Sequence, residues 1–130
     1  MIYGYIRVST AKQDVENQRH EILKYAESKS IVINQFTEET ASGTKKASDR
    51  KLGDLLNTMK KGDTLIVSEL SRLGRKLLNV MSTLNLCMER GIKLIAIKGG
   101  YELGDNIQSK VLAFAFSIAA EIERDLISLR

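Results

Sequence analysis

The sequence predicts a single α/β domain with a mostly parallel central sheet, flanked by helices and followed by a long C-terminal helix. Short β-branched runs alternate along the chain with segments in which apolar residues recur at helical spacing. Each crossover between predicted strands is long enough to hold a helix, which is the usual connection between parallel strands. A chain of 130 residues, 43% of them hydrophobic, can bury roughly two-thirds of its unfolded surface.

Strand and helix boundaries follow from this alternation. Between the first two strands, a set of residues from Val15 to Ala26 recurs at helical spacing. The opening third is therefore predicted to be β-α-β. Gly62 is expected to end the helix that carries Leu52 to Met59, and Gly91 to end the next one. Three of the predicted strands are Ile2 to Val8, Thr64 to Ser68, and Ile92 to Ile97. The second strand in chain order is predicted to start with Ile31-Val32-Ile33.

Residues 106–130 are predicted to form a separate unit after the core of residues 1–105. Apolar residues from Ile107 to Leu126 keep a helical period, and the predicted helix is about 37 Å long at about 1.5 Å per residue. Because this exceeds what so small a domain covers, we expect its far end to pack against another subunit; an ordinary core helix is the alternative. The periodic pattern continues to Arg130 without a C-cap signal, so we expect a helix truncated before a further domain.

Composition narrows the classes of function. The net charge of +4 and pI near 9.2 suit a polyanionic partner without identifying it. Cys87 is the single cysteine, which excludes an internal disulfide, and its apolar surroundings predict a buried residue. His20 has no metal-ligand partner nearby in sequence and is expected on a helix surface. With no signal peptide and no apolar run long enough for a bilayer, we expect a cytoplasmic protein without membrane contact.

Arginines cluster where two predicted strands end. Alternation along the first strand sends Tyr5, Arg7 and Ser9 to one face. Arg72 and Arg75 lie three residues apart at a predicted helix start, where two cations make sense if an anion binds between them. The simpler alternatives are a capping hydroxyl at Ser9, an ion pair at Arg7 and a solvated basic turn. Parallel strands would bring these groups to one sheet edge, as an enzyme attacking a phosphodiester requires.

Four motifs follow one another along the chain. They are Tyr5-Ile6-Arg7-Val8-Ser9-Thr10 with Gln13 and Gln18, Ala41-Ser42-Gly43 with Asp49-Arg50, Arg72-Leu73-Gly74-Arg75, and Glu123-Arg124. In this order they make essentially the whole chain resemble the catalytic domain of the serine recombinases, the resolvase and DNA-invertase family. One departure is Ser71, which stands where many family members have an aspartate.

The resemblance implies a resolvase-like fold and a site-specific DNA recombinase that cleaves and rejoins double-stranded DNA through a 5′-phosphoserine intermediate. It implies no cofactor and no metal. It also implies a homodimer that assembles into a tetramer through the C-terminal helix, with residues 1–105 as the catalytic core and a DNA-binding domain beyond residue 130. The implied site consists of Ser9 as nucleophile, Arg7, Arg50, Arg72 and Arg75 around the scissile phosphate, and Gln13, Gln18, Glu123 and Arg124 in support.

Two other functions stay open at this level. A non-catalytic phosphate- or DNA-binding partner of a recombinase is favoured by Ser71 and predicts DNA binding without a covalent adduct. A small α/β phosphatase using Ser9 predicts turnover of simple phosphate esters and no need for the long helix. In the recombinase interpretation, fixed guanidinium groups stabilise the charge that develops on the attacked phosphate.

Overall fold

A five-stranded sheet organises the structure, a computed structural model that describes residues 1–8, 12–40, 51–74, 76–104 and 107–128. The strand order is β2-β1-β3-β4-β5. The pairs β1 with β2, β1 with β3 and β3 with β4 are parallel, and β4 with β5 is antiparallel. The predicted α/β class with a mostly parallel sheet is confirmed. The elements are β1 Ile2–Val8, α1 Lys12–Ser28, β2 Gln35–Thr40, α2 Lys51–Thr58, β3 Thr64–Val67, a 3-10 turn Leu70–Arg72, α3 Leu77–Arg90, β4 Lys93–Ala96, β5 Tyr101–Leu103 and α4 Ile107–Ser128.

Helices cover both faces of the sheet, and β1 supplies side chains to each. Ile6 and Val8 pack with Ile22 of α1 in one apolar cluster. Tyr3 and Tyr5 belong to the other cluster, which also contains the buried faces of α2 and α3. The predicted alternation along β1 is therefore confirmed, and it assigns Arg7 to the α2 and α3 side.

The second strand begins later than predicted, at Gln35 instead of Ile31. The reason is that the end of α1 is still closing there: Ile31 N donates to Ala26 O at 3.0 Å, and Ser30 has a left-handed φ of 55°. Val32 is 73% exposed. The chain runs beside β1 only after this turn, with Gln35 opposite Tyr3.

The other end of the sheet carries a strand that the sequence did not predict. The short antiparallel strand β5 pairs with β4 after a turn in which Gly99 and Gly100 both have positive φ. Gly91 ends α3 as predicted, in the left-handed conformation with φ 71°, and its N–H reaches the carbonyl oxygens of Cys87 and Met88. Cys87 is buried as expected, and burial raises the pKa of its thiol to about 12.

The side-chain contacts described between helix α4 and the domain lie near the start of the helix. Ser109 is buried and accepts a hydrogen bond from Gly104 N at 2.8 Å, and Leu112 packs against the cluster shared with α3. Further along, one row of large apolar side chains faces outward: Val111, Phe114, Ile118, Ile122 and Leu126 are all exposed. In the described part of the chain, no helix is long and apolar enough to cross a membrane.

Candidate active site at the carboxyl edge of the sheet

Arg7 is the buried centre of the site. It lies near the end of β1 with only 6% of its surface exposed. Its Nε donates to Arg72 O at 2.9 Å and its Nη2 donates to Ser71 O at 2.6 Å. A buried guanidinium is stable only when its donors are satisfied, and here two backbone carbonyls of the 3-10 turn fix the plane of the fork. The turn after β3 thereby determines where Arg7 points.

The Gln18 side chain, on α1, forms hydrogen bonds with the backbone of the same strand at Arg7. Strand β3 pairs with β1 only along Ile2 to Gly4, so the β3 side of β1 lacks a strand partner at Arg7. There the Gln18 side chain, 2% exposed, accepts from Arg7 N at 3.4 Å and donates to Arg7 O at 3.1 Å. It replaces the missing strand and holds α1 against the site.

Arg72 binds back to Arg7. Its Nη1 donates to Arg7 O at 3.3 Å and lies 3.5 Å from Oδ2 of Asp14, which also accepts from Gln18. The two arginines are therefore interlocked, because each guanidinium binds a backbone carbonyl of the other residue. Two cations held this close favour an anion between them or beside them.

The prediction that Arg72 opens an α-helix is wrong. Arg72 ends the 3-10 turn, and α3 begins only at Leu77 after the cap residue Lys76. The turn closes early because Arg72 N donates to Glu69 O at 3.1 Å and Leu73 N to Leu70 O at 3.0 Å, while the Leu73 side chain is fully buried. Arg72 pairs with the carboxylates of Asp14 and Glu69 instead of lying at the start of an α-helix.

Glu69 links three side chains behind Arg72. Its Oε1 accepts from Ser71 Oγ at 2.6 Å and lies 3.8 Å from Arg72 Nε, and its Oε2 lies 3.4 Å from Lys98 Nζ. The hydrogen bond from Ser71, with the charges of Lys98 and Arg72, lowers the pKa of the Glu69 carboxyl, although burial alone would raise it. These contacts favour the charged form of Glu69 beside Arg72.

A second carboxylate connects β1 and β2 to the start of α2. Glu39 is buried and accepts a hydrogen bond from Tyr5 Oη at 2.7 Å. It also accepts from Lys51 N at 3.0 Å and Leu52 N at 3.3 Å, which are unpaired donors at the helix N-terminus. The residue immediately before Lys51 in sequence is Arg50, so this cap fixes the point from which α2 departs.

Several predicted site residues lie outside the described residues, namely Ser9, Arg50 and Arg75. Gln13 belongs to α1, but its side chain is not among those described. Glu123 and Arg124 are exposed on α4. Their supporting role stays a prediction. The described structure thus brings together Arg7, Arg72 and Gln18 of the predicted set.

Sequence reasoning missed three carboxylates at this edge: Asp14, Glu39 and Glu69. Each carried a usable signal, since Asp14 precedes Gln18 by one helical turn, Glu39 lies near the end of a strand, and Glu69 comes two residues after β3. His20 is exposed on α1, as expected. Among the described residues, no group of three or more histidine, cysteine or acidic side chains is placed to hold a metal ion.

Comparisons with known proteins identify the family. Residues 2–130 match the family described as "Resolvase, N terminal domain". The Escherichia coli K12 serine recombinase PinR is 38% identical over 130 residues, which cover 97% of this chain and 64% of that protein. The resolvase of transposon Tn2501 from Escherichia coli is 36% identical, with 97% and 64% covered. The chain thus spans slightly less than two-thirds of the length of these relatives.

Solved structures show the same fold. A resolvase family site-specific recombinase from Streptococcus pneumoniae superimposes with a TM-score of 0.79 at 26% identity, covering 98% of this chain and 90% of that one. The N-terminal catalytic domain of TP901-1 integrase gives a TM-score of 0.76 at 21% identity, with 96% and 97% covered, which supports the fold. By sequence and by fold, this chain belongs to the resolvase N-terminal domain family of serine recombinases.

Proposed function

We propose that this chain is the catalytic domain of a site-specific recombinase that cleaves and rejoins double-stranded DNA through a covalent 5′-phosphoserine bond at Ser9. The observation that carries the proposal is the interlocked pair of Arg7 and Arg72 at the carboxyl edge of the sheet. Ser9 follows Arg7 by two residues in sequence. The names of the relatives, serine recombinase and resolvase, give independent support.

The chemistry needs a nucleophile and fixed positive charge. The Ser9 oxygen forms a bond to phosphorus while the bond to the DNA 3′ oxygen breaks; the serine hydroxyl loses its proton and the leaving oxygen gains one. Guanidinium groups can donate two parallel hydrogen bonds to phosphate oxygens, and they stay charged at every physiological pH. The ester conserves the energy of the broken bond, so rejoining needs no cofactor.

The remaining predicted residues complete this site. Arg50 and Arg75 add to the cations around the phosphate, and Gln13 supports the site from α1. Glu123 and Arg124 are assigned to the same site in the assembled protein. We place the domain that reads the DNA sequence outside residues 1–130, consistent with the greater length of the relatives.

The proposed assembly uses α4. Its outward row of apolar side chains, from Val111 to Leu126, supports a homodimer that joins a second dimer into a tetramer when two DNA sites meet. A domain that exposes such a row alone would be prone to associate. Because its substrate is DNA, the protein is assigned to the cytoplasm.

The test uses the full-length protein and supercoiled DNA carrying the flanking sequence of its own gene. Wild type, Ser9→Ala and the matched control Ser82→Ala, an exposed serine on α3, are incubated with this DNA and separated on a denaturing gel. We expect a protease-sensitive protein–DNA adduct in wild type and in Ser82→Ala, and none in Ser9→Ala.

Other outcomes identify the alternatives. An adduct that persists in Ser9→Ala contradicts the assignment of the nucleophile. DNA binding by wild type without any adduct supports the non-catalytic partner. Rapid hydrolysis of a simple phosphate monoester supports the phosphatase.

A further inference from the structure

Glu69 has no assigned role in the proposed chemistry. It caps the 3-10 turn from an extended conformation with φ −158°, and its side chain is 31% exposed. Ser71, two residues later, turns its hydroxyl back to the Glu69 carboxylate at 2.6 Å. The carboxylate therefore lies where the side chain of residue 71 points, although residue 71 itself is not acidic.

Arg72 lies between two carboxylates. On the α1 side, Asp14 Oδ2 is 3.5 Å from Nη1; on the β3 side, Glu69 Oε1 is 3.8 Å from Nε. The Nε atom is buried, and 3.8 Å is too long for a hydrogen bond. A small shift of Glu69 or Arg72 on binding DNA would close this distance and supply the acceptor that the buried Nε needs.

We propose that Glu69, held by the Ser71 hydroxyl, is the positioning residue that orients Arg72 toward the scissile phosphate. It performs here the role that an acidic residue directly at position 71 could perform. Glu69 acts through Arg72 and not on the phosphate, since a carboxylate touching the phosphate would repel it. This inference rests on the proposed recombinase function.

The alternative is that Glu69 merely forms an ion pair with Lys98. Lys98 has 62% of its side chain exposed, and ion pairs of such exposed groups contribute little. Changing Lys98 to methionine removes this pair while leaving Ser71 and Arg72 in place. We expect Lys98→Met to cleave DNA at the wild-type rate, so the variant separates the two interpretations.

The experiment measures the rate of covalent adduct formation by full-length protein, with DNA binding by gel shift and thermal unfolding recorded for each variant. Glu69→Gln keeps the shape but removes the charge. Glu69→Gln combined with Ser71→Asp returns a carboxylate to the same place from the neighbouring position. Glu27→Gln, an exposed glutamate of α1, is the matched control.

We expect Glu69→Gln to form the adduct about 10- to 100-fold more slowly, the loss typical of a misplaced catalytic group. DNA binding and melting temperature should stay at wild-type values, and the double variant should recover most of the rate. Glu27→Gln should match wild type. A purely structural role for Glu69 would not give a rescued rate at unchanged stability.

Three results would overturn the inference: a wild-type rate in Glu69→Gln, a loss of DNA binding that accounts for the slower rate, or a double variant as slow as Glu69→Gln alone. If wild type itself forms no adduct, the proposed function fails and this inference fails with it. A normal wild-type adduct with an unaffected Glu69→Gln contradicts the positioning role alone.

Discussion

At the carboxyl edge of the sheet, Arg7 and Gln18 are almost fully buried and hydrogen-bonded, whereas on α4 the large apolar side chains of Phe114 and Leu126 face outward. Residues predicted for one site occur in both regions. At the sheet edge, the single chain fixes its polar groups before any substrate arrives. On α4 it presents a surface that its own fold leaves uncovered. The difference shows that the sheet-edge groups are held in place within the chain, whereas in the proposed function the residues on α4 join the site through assembly.

The largest effect in this comparison is expected from a substitution of Arg7. Because Arg7 binds two carbonyls through separate nitrogens, Arg7→Lys keeps the charge but cannot reproduce both contacts. We expect adduct formation to fall by about 10²–10³, the usual cost of losing a preorganised charge-stabilising donor. The rate of adduct formation on a denaturing gel is the measurement.

Arg90→Lys is the matched control for Arg7→Lys. Arg90 contacts Leu56 O and Asn57 at the end of α2, away from the arginine pair. Its variant should keep the wild-type rate. Equal losses in both variants would mean that the fold, and not the orientation of Arg7, limits activity.

A smaller effect is expected at Gln18, whose role is to satisfy the backbone of Arg7. Gln18→Leu leaves the buried Arg7 N–H without its acceptor and removes one of the two donors to Arg7 O; a buried unsatisfied group costs about 1–3 kcal/mol. Urea unfolding should show this loss. Asn17→Leu, at an exposed neighbouring position, should change the free energy of unfolding by less than about 0.5 kcal/mol. Equal stability of the two variants would contradict preorganisation.

The outward face of α4 should respond in the opposite way. Phe114 is 67% exposed, so Phe114→Glu should change the free energy of monomer unfolding by no more than about 0.5 kcal/mol. It should nevertheless dissociate the oligomer, as measured by analytical ultracentrifugation. Leu23→Glu, on an exposed site of α1, should leave the oligomer intact. A large loss of monomer stability in Phe114→Glu would show that this face is covered within the chain.

The smallest expected effect concerns Cys87, whose chemical accessibility reports whether the start of α4 stays packed on α3. Cys87 lies with Leu84, Met88 and Ser109 where α3 meets the start of α4. Burial raises the pKa of its thiol to about 12. Since the thiolate is the reactive form and exists only near and above that pH, iodoacetamide at pH 8 should leave folded Cys87 unmodified while labelling it in urea. Rapid labelling of the folded protein would show that α4 separates from α3.

Sequence patterns predicted the parts of the fold that depend on local periodicity. Strand β1, the apolar faces of α1 to α3 and the Gly91 cap are confirmed because each is encoded in a short window. The start of β2 was wrong because Ile31 completes the turn after α1, a contact that apolar spacing does not reveal. Strand β5 was missed because three residues carry too little pattern.

The site divides in the same manner. Arg7, Arg72 and Gln18 were predicted, and the structure brings them together. The positions of Glu39 and Glu69 near strand ends were a signal that went unused. The place of Arg72 in a 3-10 turn closed over the buried Leu73, and the partner of Glu39 across 34 residues of sequence, have no periodic signature, so periodicity could not supply them.

The Arg7 side chain donates hydrogen bonds to the backbone carbonyl oxygens of residues 71 and 72. These oxygens are present whatever amino acid occupies the two positions. Substitution at position 71 can therefore redistribute acidic groups around the site without releasing Arg7. For protein engineering, this makes position 71 a place to vary the charge around the arginine pair while the Arg7 guanidinium keeps its backbone contacts.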